Sequence, residues 1–193
     1  DGHTVDFYEK VLRRIMDAGI PFDSLCFKDA SGTSCPQKVY NTIKMARTLL
    51  GDSVRLVFHS HETAGCCVLA YRAALDGGVN QLDLSLAPLS GGTCQPDLLT
   101  MWHALRGTDF TLDIDYNRII KLEEHLKESL KDYFMPPEAT KVEPLIPFSP
   151  MPGGALTANT QMLRDNNLMD KYPDFIAAMG EVVCKGGYGT SVT

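Results

Sequence analysis

His59 and His61 stand one residue apart where an apolar run ends, in the stretch VRLVFHSHETAG at residues 54–65. Residues i and i+2 of an extended chain point to the same face, so two imidazoles would share the C-terminal end of one strand. Neutral imidazoles aimed at one point hold a divalent metal; equally, they serve as plain polar residues at a strand end. Lys28 closes an earlier run, DSLCFKD. As an ammonium it would repel a metal held by the histidines. As a carbamate, formed with carbon dioxide, it would offer an anionic oxygen instead. The competing reading is a lysine that reaches solvent along its aliphatic stem or pairs with Asp29.

Other polar groups surround this trio. Asp29 faces away from Lys28 on its strand and is expected to cap the next helix. Glu62 is expected either to cap a helix or to support His61. Asp83 reads as a member of a structural hydrogen-bond network. SGGTCQP, residues 90–96, is a glycine-containing loop whose exposed amides could meet an anionic substrate, which makes Gly91, Gly92, Thr93 and Gln95 the candidate substrate-binding residues. It matches neither GxGxxG nor the Walker pattern. His103 and His125 fall within helical stretches and are expected at the surface, and GGYGT at 186–190 reads as a turn.

The elements that must position these groups alternate regularly. Residues 4–18 predict a helix capped by Thr4, with Phe7, Val11, Leu12 and Ile15 on one stripe. Three strand–helix units follow: DSLCFKD then CPQKVYNTIKMARTLLG, VRLVFHSH then AGCCVLAYRAALDGG, NQLDLSLAPL then QPDLLTMWHALRG. Such alternation means a parallel sheet with helical crossovers. In each strand bulky apolar residues alternate with polar or small ones. A doubly wound sheet would bury both faces and read more uniformly apolar. A second face that grows polar towards the strand ends fits the interior of a (βα)8 TIM barrel near its mouth. Three units are not eight, so the fold class expected is α/β: the later part of a TIM barrel, followed by a mainly helical funnel segment.

Beyond the barrel part, residues 1–134, DYNRIIKLEEHLKESLKDYF predicts a long amphipathic helix with Ile119, Leu122, Leu126, Leu130 and Tyr133 as its stripe. A connector at 135–154 carries six prolines and reads as extended. Residues 155–193 would begin a helical post-barrel domain, with helices near 159–170 and 172–184.

Composition bounds the function. The 193 residues are 44% apolar and 22% charged with formal net charge −6, values of a globular protein with no basic surface for nucleic acid or anionic lipid. No apolar stretch approaches the roughly 18 residues of a membrane span. The opening DGHTVDFYEK has neither the basic nor the apolar region of a signal peptide. The six cysteines include no CxxC pair and read as reduced thiols, with Cys26 in a buried strand; a cytoplasmic location is expected.

Several motifs together carry a resemblance. FKDASG resembles the KDMAG motif of the biotin-dependent 2-oxo acid carboxyltransferases, a family that includes the oxaloacetate decarboxylase alpha subunit, transcarboxylase and the carboxyltransferase part of pyruvate carboxylase. HSHETAG resembles their HxHxTAG motif, MPGGALTANTQM their PGG-x-L-x-N segment, and the terminal VT the opening of VTPxSQ. The motifs stand in the family's order and span nearly the whole chain. Two departures are Ala30 and Ser31, where Met and Ala are usual, and the loop at 90–96 lacks the tyrosine of the decarboxylase version.

The resemblance implies a (βα)8 barrel with a helical funnel domain behind it and a divalent metal (zinc, manganese or cobalt) at the barrel mouth. It implies Lys28 as the carbamylated ligand and His59 and His61 as the imidazole ligands. The family's remaining protein ligand is an aspartate ending the first barrel strand, which has no counterpart in this sequence. Thr193 matches the threonine that moves a proton between biotin and the enol of pyruvate. The implied reaction is carboxyl transfer between carboxybiotin and pyruvate or oxaloacetate through a metal-stabilised enolate. Biotin would sit on another domain or subunit, since no AMKM-like site is present. The implied assembly is a homo-oligomer, meeting a membrane only through a partner subunit of a decarboxylase pump. Two alternatives stand beside this one: a metal-dependent aldol-type lyase or acyl-CoA synthase on the same barrel, against which the MPGG segment speaks, and an inactive fragment lacking the first barrel strands.

Overall fold

The computed structural model describes residues 3–187. Helix α1, Val5–Asp17, starts at Thr4, whose hydroxyl accepts a hydrogen bond from the Phe7 amide at 3.2 Å. Strand β1 (Ser24–Asp29) and helix α2 (Pro36–Leu50) follow, then β2 (Arg55–Ser60) and α3 (Cys67–Gly77). The third unit is β3 (Gln81–Leu82) and α4 (Leu98–Ala104). Asp97 caps α4 through the Leu99 and Thr100 amides.

The sheet has the order β1-β2-β3 and both pairings are parallel, as adjacent strands joined by single helical crossovers require. Lys28 pairs with His59 in the β1–β2 register, so the two side chains share a face. The opposite face carries Leu56 and Phe58, which pack with Val39, Ile43 and Ala46 of α2 and Ala70, Tyr71 and Ala74 of α3 into one core. Tyr71 pins the strand ends together: its hydroxyl receives the Ser60 amide and donates to the Asp83 carbonyl. Burial raises its pKa far above the usual phenol range.

Three expectations need correction. The third strand is two residues long, because beyond Leu82 the backbone turns to a different partner. Ser85 donates to the Pro96 carbonyl and accepts from the Leu98 amide. Cys26 is exposed, since it lies with Ser24 and Lys28 on the sheet face that no described element covers. The connector is not simply extended. It holds the short helix α6 (Pro137–Thr140) and a 3-10 turn (Ile146–Phe148), and helix α7 (Gly153–Asp165) begins within it. Prolines stand within one residue of the starts of all three, where a missing amide costs nothing.

Helix α5, Tyr116–Leu130, carries the predicted apolar stripe, but its buried residue is Glu123, and Leu122 and Tyr133 are exposed. After α7 the chain makes a 3-10 turn (Met169–Lys171) and helix α8 (Tyr172–Lys185). Ile146, Met151, Leu156 and Ile176 form a second, smaller core there. No disulfide links the cysteines. Among the described residues no helix is long and apolar enough to cross a membrane.

Candidate active site

The C-terminal ends of β1 and β2 bring Lys28, His59 and His61 to one mouth. The two imidazole rings lie 5.1 Å apart between centroids, edge to face. Each ring is held through Nδ1. That of His59 is 2.9 Å from Asp83 Oδ2, and that of His61 is 2.7 Å from the Thr93 carbonyl oxygen. Both partners accept, so both Nδ1 atoms carry the proton and both Nε2 atoms keep a lone pair. A ring whose far nitrogen donates to a carboxylate or carbonyl is oriented as a metal ligand. Burial pushes the His61 pKa down, which keeps it in the neutral, ligating form.

The residues fit a divalent cation on this donor chemistry. Among the described residues no group of three or more His, Cys, Asp and Glu side chains converges as a metal site, so the two imidazoles need a further donor of another kind. Lys28 stands next to them and, among the described residues, makes no ion pair. Asp29 does not take it up. Its carboxylate accepts from the Gly32, Thr33 and Ser34 amides and from the Ser60 hydroxyl. Asp29 therefore holds the loop before α2 rather than capping the helix, whose N-cap is Cys35.

His61 is gripped from two sides by glycines. Gly32 has φ +69°, and a Cβ there would meet the His61 carbonyl oxygen at 2.1 Å. A Cβ on Gly153 would lie 2.4 Å from the Thr93 carbonyl oxygen and 2.8 Å from His61 Nδ1, and the Gly153 amide donates to the Ala30 carbonyl. The PGG segment is thus seated directly on the mouth.

The 90–96 loop faces the mouth differently from expectation. The amides of Gly91, Thr93 and Cys94 donate to Gln95, Ala139 and Gly91 carbonyls, and so are not free to cradle an anion. The Thr93 hydroxyl bonds to Ala139 and Thr157. Gly92 is buried against residues 139–140. Gln95 alone of the four candidates points a side chain at the histidines, its Nε2 lying 3.4 Å from His59 Nε2. Glu62 accepts the Cys67 amide at the start of α3, while its second oxygen is buried without a partner. His103 and His125 are exposed on α4 and α5. Thr193 and most of GGYGT lie outside the described residues.

Asp83 joins a hydrogen-bond network, as expected, but sequence reasoning did not name His59 as its partner. The signal was present, since alternation puts Asp83 on the same sheet face as His59. The Thr93 carbonyl carries no side-chain signal at all.

The fold has the form of a carboxyl transferase domain. The carboxyl transferase domain of Rhizobium etli pyruvate carboxylase, solved with pyruvate, superposes over 93% of this chain and 30% of its own with a TM-score of 0.82 at 23% identity. A variant of that domain reaches 0.88 over 99% of this chain. In sequence, the methylmalonyl-CoA carboxyltransferase 5S subunit of Propionibacterium freudenreichii is 29% identical over 99% of this chain and 37% of its own length. A pyruvate carboxylase subunit of Methanothermobacter thermautotrophicus is 28% identical over 99% of this chain and 33% of its own. Residues 146–193 match the family model described as a conserved carboxylase domain. The chain is related to the biotin-dependent carboxyltransferases, as its motifs suggest, and it spans about a third of the length of these curated relatives.

Proposed function

We propose that this chain supplies the later strands of a (βα)8 barrel and the start of the funnel segment of a biotin-dependent carboxyltransferase, acting on a 2-oxo acid of the pyruvate or oxaloacetate class. The observation that carries the reading is the histidine pair, with each Nδ1 engaged by an acceptor and each Nε2 presenting a lone pair, that of His59 towards Gln95, on the same sheet face as Lys28. His59, His61 and carbamylated Lys28 would hold a zinc, manganese or cobalt ion, completed by a donor from outside these residues. When bound, that ion supplies Lewis-acid stabilisation of negative charge on a substrate oxygen.

The chain's own residues do the rest. Asp83 and the Thr93 carbonyl fix the two imidazole tautomers. Gln95 offers an amide N–H to an acceptor at the mouth, while Gly91, Gly92 and Thr93 shape the loop that holds it there. Helix α7 starts against the mouth, with Gly153 beside His61 and Thr157 bonded to Thr93. Thr193 is the proton carrier, moving a proton to or from the reacting carbon as the carboxyl group leaves or arrives. Carboxyl transfer needs a biotin carrier domain or subunit as partner, and the assembly is a homo-oligomer. Residues 1–134 are the barrel part, 135–154 the connector, and 155–193 the start of the helical post-barrel domain.

Lys28→Arg tests the reading in the full-length protein. Arginine keeps the positive charge but forms no carbamate. The variant is expected to lose carboxyl transfer and bound metal together, measured by carboxyl-transfer assay and elemental analysis, while its thermal midpoint shows that it folds. Normal turnover and normal metal content in that variant would rule the carbamate out.

A further inference from the structure

We infer that Cys94 is a positioning residue: through Gln95 it determines which end of a side-chain amide faces the histidine pair, and so selects a substrate that brings an oxygen acceptor. The inference deepens the reading of the mouth as a 2-oxo acid site and depends on it. It begins at Asp83. Because Asp83 Oδ2 accepts from His59 Nδ1, His59 Nε2 presents a lone pair, and what faces a lone pair at 3.4 Å must be a donor. Gln95 therefore turns its NH2 end inward and its Oε1 outward.

Oε1 then meets Cys94 Sγ at 3.3 Å, and the same sulfur lies 3.3 Å from Ser85 Oγ. A thiol has one proton. Given to Gln95 Oε1, it leaves the sulfur to accept from the Ser85 hydroxyl. With the thiol proton on Gln95 Oε1 rather than on Ser85 Oγ, the other acceptor within its reach, Cys94 donates to Gln95, Gln95 to His59 and His59 to Asp83. The base of this chain is fixed, since Ser85 is tied by its own amide and carbonyl to Pro96 and Leu98.

Two constraints set the amide, and they act under different conditions. With its lone pair free, His59 repels a flipped Gln95 oxygen. With the lone pair given to a metal ion, His59 would no longer favour the inward NH2 and the ion's positive charge would draw Oε1 instead, so the Cys94 thiol is the group that opposes the flip. Gln95 Nε2 carries a second N–H that no group takes up among the described residues. Held inward, it donates to a carboxylate or carbonyl oxygen; a flipped amide would present an acceptor and repel the same substrate.

The experiment uses the full-length enzyme with pyruvate as probe. Cys94→Ala and Cys94→Val, the latter filling the space without a donor, are expected to weaken pyruvate binding by calorimetry, and to raise the pyruvate KM, by roughly fivefold, the worth of one neutral hydrogen bond. Turnover at saturation changes little, because the amide is misdirected in only part of the population. Cys94→Ser restores wild-type binding. In a Gln95→Ala background, already weakened, Cys94→Ala adds nothing further. Wild-type enzyme that binds pyruvate while both donorless variants bind it equally well overturns the role of Cys94 and leaves the reading of the mouth intact. An additive loss in the double variant overturns it too. Wild-type enzyme that does not bind pyruvate overturns the reading of the mouth and the inference with it.

Discussion

The far nitrogen of each imidazole is where the site is controlled. For His59 that control is a carboxylate, so it can be removed. Asp83→Ala leaves Nδ1 without its acceptor and lets the ring turn or change tautomer. Metal affinity is expected to fall about 10- to 100-fold, read directly by metal titration of the full-length protein. For His61 the control is the Thr93 carbonyl, which no substitution deletes, but Gly153→Ala presses on it. The new methyl would lie 2.4 Å from that oxygen with the ring 2.8 Å away. Neither atom is the end of a flexible chain, so the loop or α7 must move. A loss of about 1–3 kcal/mol is expected, as for other overpacked sites, measured by urea unfolding. At this scale spacing offered His59 and His61 as a candidate pair with Lys28 beside them, and only the resemblance assigned the three as ligands. Alternation placed Asp83 on their face but could not give it a partner 24 residues away without the register. Main-chain acceptors such as Thr93 have no residue signature to read.

Helix α5 is tied to the site through one carboxyl group. The Ala87 amide is shared between Asp97 Oδ2 at 3.2 Å and Glu123 Oε1 at 3.3 Å, and Asp97 also receives the Ser90 hydroxyl. Burial, and then the neighbouring Asp97, push the Glu123 pKa above the ordinary glutamate range. A folded-state pKa above the unfolded one means that the native protein binds the extra proton. Its stabilising effect is complete below the unfolded value and is lost as pH rises through the raised one. Glu123→Gln keeps an oxygen for Ala87 and offers Asp97 a permanent donor. Its thermal midpoint is expected to exceed that of wild type above the window and to lack the decline across it, in scans from about pH 4 to about pH 8. A wild-type midpoint that rises through that window would contradict the assignment. Element order, strand direction and adjacency were legible from alternation, and so was the helical nature of the tail. The length of β3 was not. Leu82, Leu84 and Leu86 keep the period of a strand, but Ser85 spends its backbone groups on Pro96 and Leu98. Proline density concealed α6 and the start of α7, since the same residue that breaks an element also begins one.

The described residues build two cores that meet at the mouth. The larger lies between the sheet and α2, α3 and α4; the smaller centres on Ile146, Met151, Leu156 and Ile176. The bonds between them include backbone pairs, Thr93 to Ala139, Glu143 to Thr63 and Gly153 to Ala30, and the Thr93–Thr157 hydroxyl pair. This layout makes the geometry at His61 depend on both cores. It also leaves much apolar surface uncovered. Phe7, Val11 and Ile15 of α1 are exposed together with Ile20, which is 69% exposed, and they lie beside β1, whose second edge pairs with nothing among the described residues. Leu122 and Ile120 on α5 are exposed as well. An edge strand beside an apolar helix face is a site of association or of further pairing. The 193 residues prepared alone are therefore expected to unfold over a broad, non-cooperative range and to bind a hydrophobic dye before heating. The full-length protein, with that edge and those faces covered, is expected to unfold cooperatively and to leave the dye unbound. A sharp thermal transition from the monomeric 193-residue chain would mean that its two cores suffice without further strands. Histidine geometry competent for a metal would then be a property of these residues alone.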